Sequence, residues 1–404
     1  VPDERPPQAG VSLPEDYIRA MTKDLTITDI KAYATSFPLP KDGNVRLGIG
    51  RAVKKDAVMV KVTTASGLVG WGESHHARAP STIAKLIETT LKMLVVGENA
   101  ADVQGIWQKI YVKQLASHGL GAGTAMAMSG IDMALWDIRG KATGWPLYKL
   151  LGGKSKPVAA YAGGISLGFQ EPAALIEEAR LHVAAGYKAV KLRLGDNPKD
   201  DLARVAAIRG AFGEDLVILT DANIGYTVAD ARAVMPGLDA NGVAWLEEPF
   251  PAHDYRSYRE AKAFGRVPLA AGENHYTRFE FSRLIEEGIV TILQPDLSKT
   301  GGVTEVMKIA AMASAHKLPV HPHTSMTGLN MAASIHVLAA LDHPGYFEGD
   351  VSKNNLFRDV MVCPAPYEVD ATGHVRPLDG PGLGLEVDED FLVRHPVIEG
   401  PSYV

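Results

Sequence analysis

Apolar residues first recur with period two, over 27–34, 58–63 and 68–72, which predicts three strands. Ser66-Gly67 between the last two runs marks a hairpin. From 81 to about 140 the period lengthens: Ile83, Leu86 and Ile87, then Met126, Ile131, Leu135 and Trp136, recur at helical spacing. Strands followed by a block of helices predict an α+β domain over 26–153, ended by Leu151-Gly152-Gly153-Lys154. From Val158 the texture changes again. Short apolar strands at 158–162, 189–194, 217–220, 243–246, 269–272, 291–294, 318–321 and 345–347 alternate with helical stretches such as 172–184, 229–235 and 303–316. This α/β alternation predicts parallel strands with crossover helices, and eight strands in about 190 residues favour a closed barrel over an open sheet. No amphipathic helix clearly follows the eighth strand. The Pro- and Gly-rich stretch 352–404 is expected to run back over the first domain.

The chain has 404 residues, a net charge of −6 and 46% apolar residues, enough to bury a sizeable core without disulfides. Cys363 is the single cysteine, so neither an intrachain disulfide nor a thiolate metal site can form. No apolar run reaches the roughly 20 residues of a membrane span, and no basic block suits nucleic acid. Residues 1–25 read as an acidic, Pro-rich leader without the apolar region of a signal peptide, so a cytoplasmic location is expected. Gly119-Leu120-Gly121-Ala122-Gly123-Thr124 follows a helical stretch and lacks the lysine of a phosphate loop; it reads as a helix entry.

Barrel chemistry sits where strands end. Asp221, Glu247 and Glu273 close strands three, four and five at intervals of 26 residues, one barrel unit each. Three acids in one mouth repel and lose hydration unless neutralised, and all-oxygen donors favour Mg²⁺ over zinc or copper. A carboxylate at such a junction often only caps the next helix, but three at equal spacing point to one metal ion. Glu248 and Asn223 lie beside these ligands as supporting partners. Strand six ends at Asp296 and strand seven at His323, 27 residues on, so the carboxylate can orient the imidazole for proton transfer. His321, within the strand, is expected to be packed. On strand two, period two puts Lys191 and Arg193 on one face, suited to an anion or to balancing the acids. Strand eight adds Glu348.

These residues together resemble the enolase superfamily, and within it the mandelate racemase group. The resemblance covers nearly the whole chain and rests on the Lys191/Arg193 pair, the Asp221, Glu247 and Glu273 ligands, and the Asp296/His323 dyad. It implies a (β/α)7β barrel behind a capping domain that the C-terminal segment completes, one Mg²⁺ per subunit, a small carboxylate substrate and a homo-oligomer. It also implies that a base takes the α-proton to give an enediolate, that Lys191 touches the substrate carboxylate and that Glu348 hydrogen-bonds to the substrate. Arg193 and Asn223 join these as substrate contacts. Loops such as that carrying His75, His76 and Arg78 would close over the mouth and set specificity. Many relatives carry lysine at both strand-two positions, the second acting as a base. Arg193 departs from that, and a guanidinium is a poor proton shuttle. The expected activity is therefore dehydration of a hydroxylated carboxylate, a sugar acid, to a 2-keto-3-deoxy acid. A racemase or epimerase, and a non-catalytic carboxylate-binding barrel, are the alternatives.

Overall fold

The computed structural model describes residues 24–40, 45–117, 119, 121–324 and 326–404. Apart from residues 24 and 25, the leader lies outside these, as does Leu120 of the glycine-rich stretch.

Three antiparallel strands, Ile27–Pro38, Lys54–Thr64 and Val69–Ser74, form the capping sheet. The hairpin turns at Gly67, whose φ of +81° suits glycine. The helix Ala122–Thr143 lies directly on the third strand. Gly72 permits this approach, since a Cβ there would sit 2.1 Å from the Gly130 carbonyl oxygen. The helix is buried on nearly every side, from Thr124 to Ile138, which explains its weak amphipathic signature. It begins just after Gly121, so the glycine-rich stretch is a helix entry.

The barrel strands are Val158–Gly163, Ala189–Arg193, Val217–Asp221, Leu246–Glu247, Leu269–Ala271, Ile292–Leu293 and Phe347–Asp350, neighbours pairing in parallel. Phe347–Asp350 returns to pair with Val158–Gly163. The expected strand over 318–321 is reduced to bridges from Val320 to Leu293 of strand six and to Pro344, three residues before strand eight. Pro319 and Pro322 withhold the N–H groups that a regular ladder needs there. Tyr161, Leu219, Trp245 and Ile292 fill the interior. His321 packs among them, 5.0 Å between ring centroids from Trp245. The eighth strand leads only to the short helix Leu356–Asp359. Residues beyond it return to the capping sheet, where Pro396 bridges to Thr35 and Glu389 pairs with Lys61 at 2.5 Å.

Two buried capping-domain acids tie the domains together at helix N-termini. Glu73 accepts from Met326 N, Thr327 N and Thr327 Oγ1 at 3.3, 3.2 and 2.5 Å, at the start of the helix Gly328–Ala340. Asp132 Oδ2 accepts from Thr304 N at 2.9 Å in the helix Gly302–Ala315. Gly302 makes room for it, because a Cβ there would meet Asp132 Oδ2 at 2.3 Å. A carboxylate favours this end of a helix dipole, yet burial dominates. It raises Glu73 to about 8 and Asp132 to about 7.

Candidate active site

Alternation along strand two turns Lys191 and Arg193 inward, and the neighbouring strand ends bring the acids around them. Lys191 Nζ lies 2.9 Å from Glu348 Oε1, 3.1 and 3.2 Å from the Glu247 oxygens, and 3.7 Å from Asp221 Oδ2. Burial alone would discharge this amine, but Glu247 and Glu348 hold its pKa well above the usual lysine value. Arg193 donates to Asp221 Oδ2 and to the Gly164 carbonyl, and reaches Asn223 Oδ1 at 3.3 Å. Asn223 in turn donates from its backbone N and Nδ2 to Asp221 at 2.8 and 3.1 Å. Glu348 also accepts from Gly164 N at 3.1 Å.

The acids of strands four and five are more heavily loaded. Glu247 accepts from Gln294 Nε2 at 2.7 Å and Trp245 Nε1 at 3.3 Å. Burial raises it to about 7 despite Lys191, with Asp221, Glu348 and Glu273 adding to the rise. Glu248 takes both its hydrogen bonds from Asn274 and is also pushed far up, by burial and then by Glu273 and Asp221. Glu273 meets His323 Nε2 at 2.6 Å and Lys299 Nζ at 3.4 Å. Those two cations outweigh its burial and keep it ionised.

His323 Nδ1 donates to Asp296 Oδ2 at 2.6 Å. The other oxygen, Asp296 Oδ1, accepts from Ser298 N and Oγ at 2.7 Å and from Asn330 Nδ2 at 3.1 Å. Asp296 is thereby locked, and it fixes the ring so that Nε2 meets Glu273 at the edge of the cleft. Although burial disfavours the charged ring, Glu273, Glu348 and Asp296 lift His323 to about 10.

Six carboxylates, Asp221, Glu247, Glu248, Glu273, Asp296 and Glu348, thus share one mouth with three permanent cations, Lys191, Arg193 and Lys299. The excess of negative charge and the raised Glu247 and Glu248 suit a divalent cation, and the donors are all oxygen. Among the described residues, however, no three acidic, histidine or cysteine side chains surround a common point. Asp221, Glu247 and Glu273 turn instead to Arg193, Lys191 and His323, the nearest available positive charges.

A cleft of about 590 Å³ opens above these groups, lined by Arg193, Glu273, Lys299 and His323 below and by His75, His76 and Arg78 above. The two histidine rings stack at 4.2 Å, and His75 N donates to the Ser298 carbonyl at 2.9 Å. Burial keeps both neutral, His76 falling to about 4. Arg78 lies over the ring of Tyr403 at 4.9 Å. Ala77 and Arg78 both have positive φ, as do Asn223, Ile224 and Glu248, so unfavourable backbone is concentrated around the mouth. Lys299 and Tyr403 were not expected here. Lys299 was visible three residues after Asp296 in Asp296-Leu297-Ser298-Lys299, whereas nothing near Tyr403 in the sequence pointed to the cleft.

Residues 29–152 match the mandelate racemase/muconate lactonizing enzyme N-terminal domain, and residues 174–391 match the enolase C-terminal domain-like family. The chain is 35% identical to an arabinonate dehydratase of Saccharolobus solfataricus, over 91% of this chain and 99% of that protein. The crystal structure of an enolase superfamily member from Polaromonas sp. JS666 superposes with a TM-score of 0.91 at 51% identity, covering 94% of this chain and all of that one. A racemase from Streptomyces coelicolor A3(2), solved with bound magnesium, superposes with a TM-score of 0.82 at 28% identity, covering 92% and 100%. With both domains matched and the barrel and capping sheet in place, the chain belongs to the mandelate racemase/muconate lactonizing enzyme family of the enolase superfamily.

Proposed function

We propose that the protein dehydrates a sugar acid, with His323 as the single acid–base group, and that Asp221, Glu247 and Glu273 hold one Mg²⁺. The observation that carries this reading is the asymmetry of the mouth. On one side stands a group that can gain and lose a proton, His323, its Nδ1 held by Asp296 and its Nε2 on Glu273 at 2.6 Å, the carboxylate that Mg²⁺ would draw away. On the other stand two cations held in their charged form, Arg193 by Asp221 and Lys191 by Glu247 and Glu348. A racemase needs a second proton-transfer group on the opposite face, and a guanidinium remains protonated throughout.

Bound Mg²⁺ would neutralise the clustered acids and draw charge from the substrate carboxylate. Lys191 and Arg193 then meet the charge that builds on that carboxylate as the α-carbon loses its proton. With Glu273 turned to the metal, the charge that lifts His323 would be relieved, and the neutral ring would take the proton at Nε2 while Asp296 stabilises the imidazolium through Nδ1. The same Nε2–H then protonates the departing β-hydroxyl, and the enol tautomerises to a 2-keto-3-deoxy acid. His75 and His76, neutral and stacked on the upper wall, contact the substrate's further hydroxyls.

The arabinonate dehydratase likeness supports elimination, and the racemase likeness supports the alternative on the same scaffold. The test is a Mg²⁺-supplemented panel of aldonic and aldaric acids in deuterated water. Formation of 2-keto acid from at least one of them is expected. Recovery of an inverted, deuterated epimer with no keto acid would establish the racemase instead.

A further inference from the structure

The capping domain also reaches the barrel through a buried cation. Lys55, near the start of the capping strand Lys54–Thr64, is 1% exposed, and its Nζ lies 3.2 Å from Asp350 Oδ2 and 2.5 Å from Ser352 Oγ. Asp350 closes strand eight two residues after Glu348, so alternation puts both acids on one face of that strand. Strand one, paired with it, runs out opposite them in Gly163-Gly164, and both glycines make room for the acids. A Cβ on Gly163 would sit 2.6 Å from Glu348 Oε1, and one on Gly164 would sit 2.1 Å from Asp350 Oδ1. The backbone of Gly164 is engaged on both sides: its N–H donates to Glu348 Oε1 at 3.1 Å, and its carbonyl accepts from Arg193. Gly164 is thus a bracket between two side chains of the floor, with Asp350 set against it.

Asp350 is itself fixed. Its Oδ1 accepts from Ser352 N at 2.8 Å and from Ser352 Oγ, and its Oδ2 accepts from Asn355 Nδ2. Although burial disfavours its charge, Lys55 and then Arg358 hold this carboxyl below its usual range. Lys55 is its ion-pair partner among the described residues. Without that cation a buried carboxylate must turn towards water or take up a proton. Gly164 has a positive φ of 74° and no side chain to anchor it, so it can follow that movement. Arg193 and Glu348 would then lose the backbone groups that aim them. Resting on the dehydratase reading, we propose that Lys55 is a positioning residue which, through Asp350 and Gly164, holds Arg193 and Glu348 in place for turnover.

The experiment compares Lys55→Met and Ser352→Ala with the unaltered protein, all supplied with Mg²⁺, on an acid of the panel that yields 2-keto acid. Lys55→Met is expected to lower kcat by about 10²-fold, and Ser352→Ala, which removes only the hydroxyl between Lys55 and Asp350, by about fivefold, with KM changing less than about threefold in both. Hydrogen exchange at the Gly164 amide, followed by NMR on ¹⁵N-glycine-labelled protein, should quicken by about tenfold or more in Lys55→Met. The Gly130 amide, held by Ser74 within the capping domain, should keep its rate. Unchanged kcat, or a raised KM at constant kcat, would overturn the proposal and leave the dehydratase reading intact. So would a fall in kcat with Gly164 exchange unaltered, or with both amides quickened alike, since either marks lost support for the fold alone. Should Lys55→Met fail to fold, Ser352→Ala decides by the same readings. Where no acid yields keto acid, the dehydratase reading fails and exchange decides: quickening at Gly164 alone upholds the bracket, and an unaltered rate overturns it.

Discussion

The floor and the cover of the cleft are built on opposite principles. In the floor, side chains come from consecutive strands of one sheet, one barrel unit apart, and most charges meet an opposite charge at close range, Glu248 being held by Asn274 instead. In the cover, a hairpin near residue 48, a turn at 75–78 and Tyr403 come together across more than 350 residues of chain, largely through apolar contact and stacking. The strands hold the reacting groups in rigid register, as proton transfer requires. On the proposed reading the loops would meet the variable end of a substrate. Substitutions in the floor should therefore remove turnover, and those in the cover should redirect it.

The largest effect is expected in the floor. Lys191→Met leaves Glu247 and Glu348 facing each other without their shared cation, and kcat should fall by about 10³-fold or more. Circular dichroism separates this from unfolding. His323→Asn should lower kcat by about 10²- to 10⁴-fold with little change in Mg²⁺ affinity, measured by calorimetry. Asp296→Asn should cost less, because the ring keeps its place but loses support for its charged form. Glu273→Gln should instead weaken Mg²⁺ binding, which would set ligand apart from base. Chelation should abolish turnover, and added Mg²⁺ should restore it.

Between floor and cover stand the buried carboxyls that join the domains. Glu73 and Asp132 are raised to about 8 and 7 in the folded protein, against 4.5 and 3.8 in the unfolded chain. The folded state therefore binds more protons between those values. Their contribution to stability is fullest in acid and declines as pH rises to about 8. Glu73→Gln should flatten that decline in a melting series from pH 5 to 9. Glu73→Ala, which leaves Met326 N and Thr327 N unpaired, should cost about 2 kcal/mol. The smallest effect belongs to the cover. Replacing His75, His76 and Arg78 with alanine should alter KM and the ranking of substrates, leaving Mg²⁺ affinity unchanged.

Much of the floor was legible in the sequence, because a barrel repeats at a nearly constant interval and its strand ends are marked by short polar strings. Asp221, Glu247 and Glu273 could be placed by counting, and Asp296 with His323 likewise. Counting could not show which way each carboxylate turns. Glu273 lies on His323, and that depends on local charge balance. The seventh strand is less regular than its apolar run suggests, because Pro319 and Pro322 interrupt it. Of the cover, only the turn with His75, His76 and Arg78 was legible. Leu47, Ile49 and Tyr403 belong to no periodic pattern, and their meeting depends on the path of residues 352–404 across the capping sheet.

The capping of barrel helices by Glu73 and Asp132 has a consequence for how this architecture can vary. Each acid and its recipient, Thr327 for one and the Gly302–Thr304 turn for the other, are halves of a single joint. A barrel grafted onto another relative's capping domain would inherit one half of each. The two domains should accordingly melt in one cooperative transition, and working chimeras should be those that transfer both halves together.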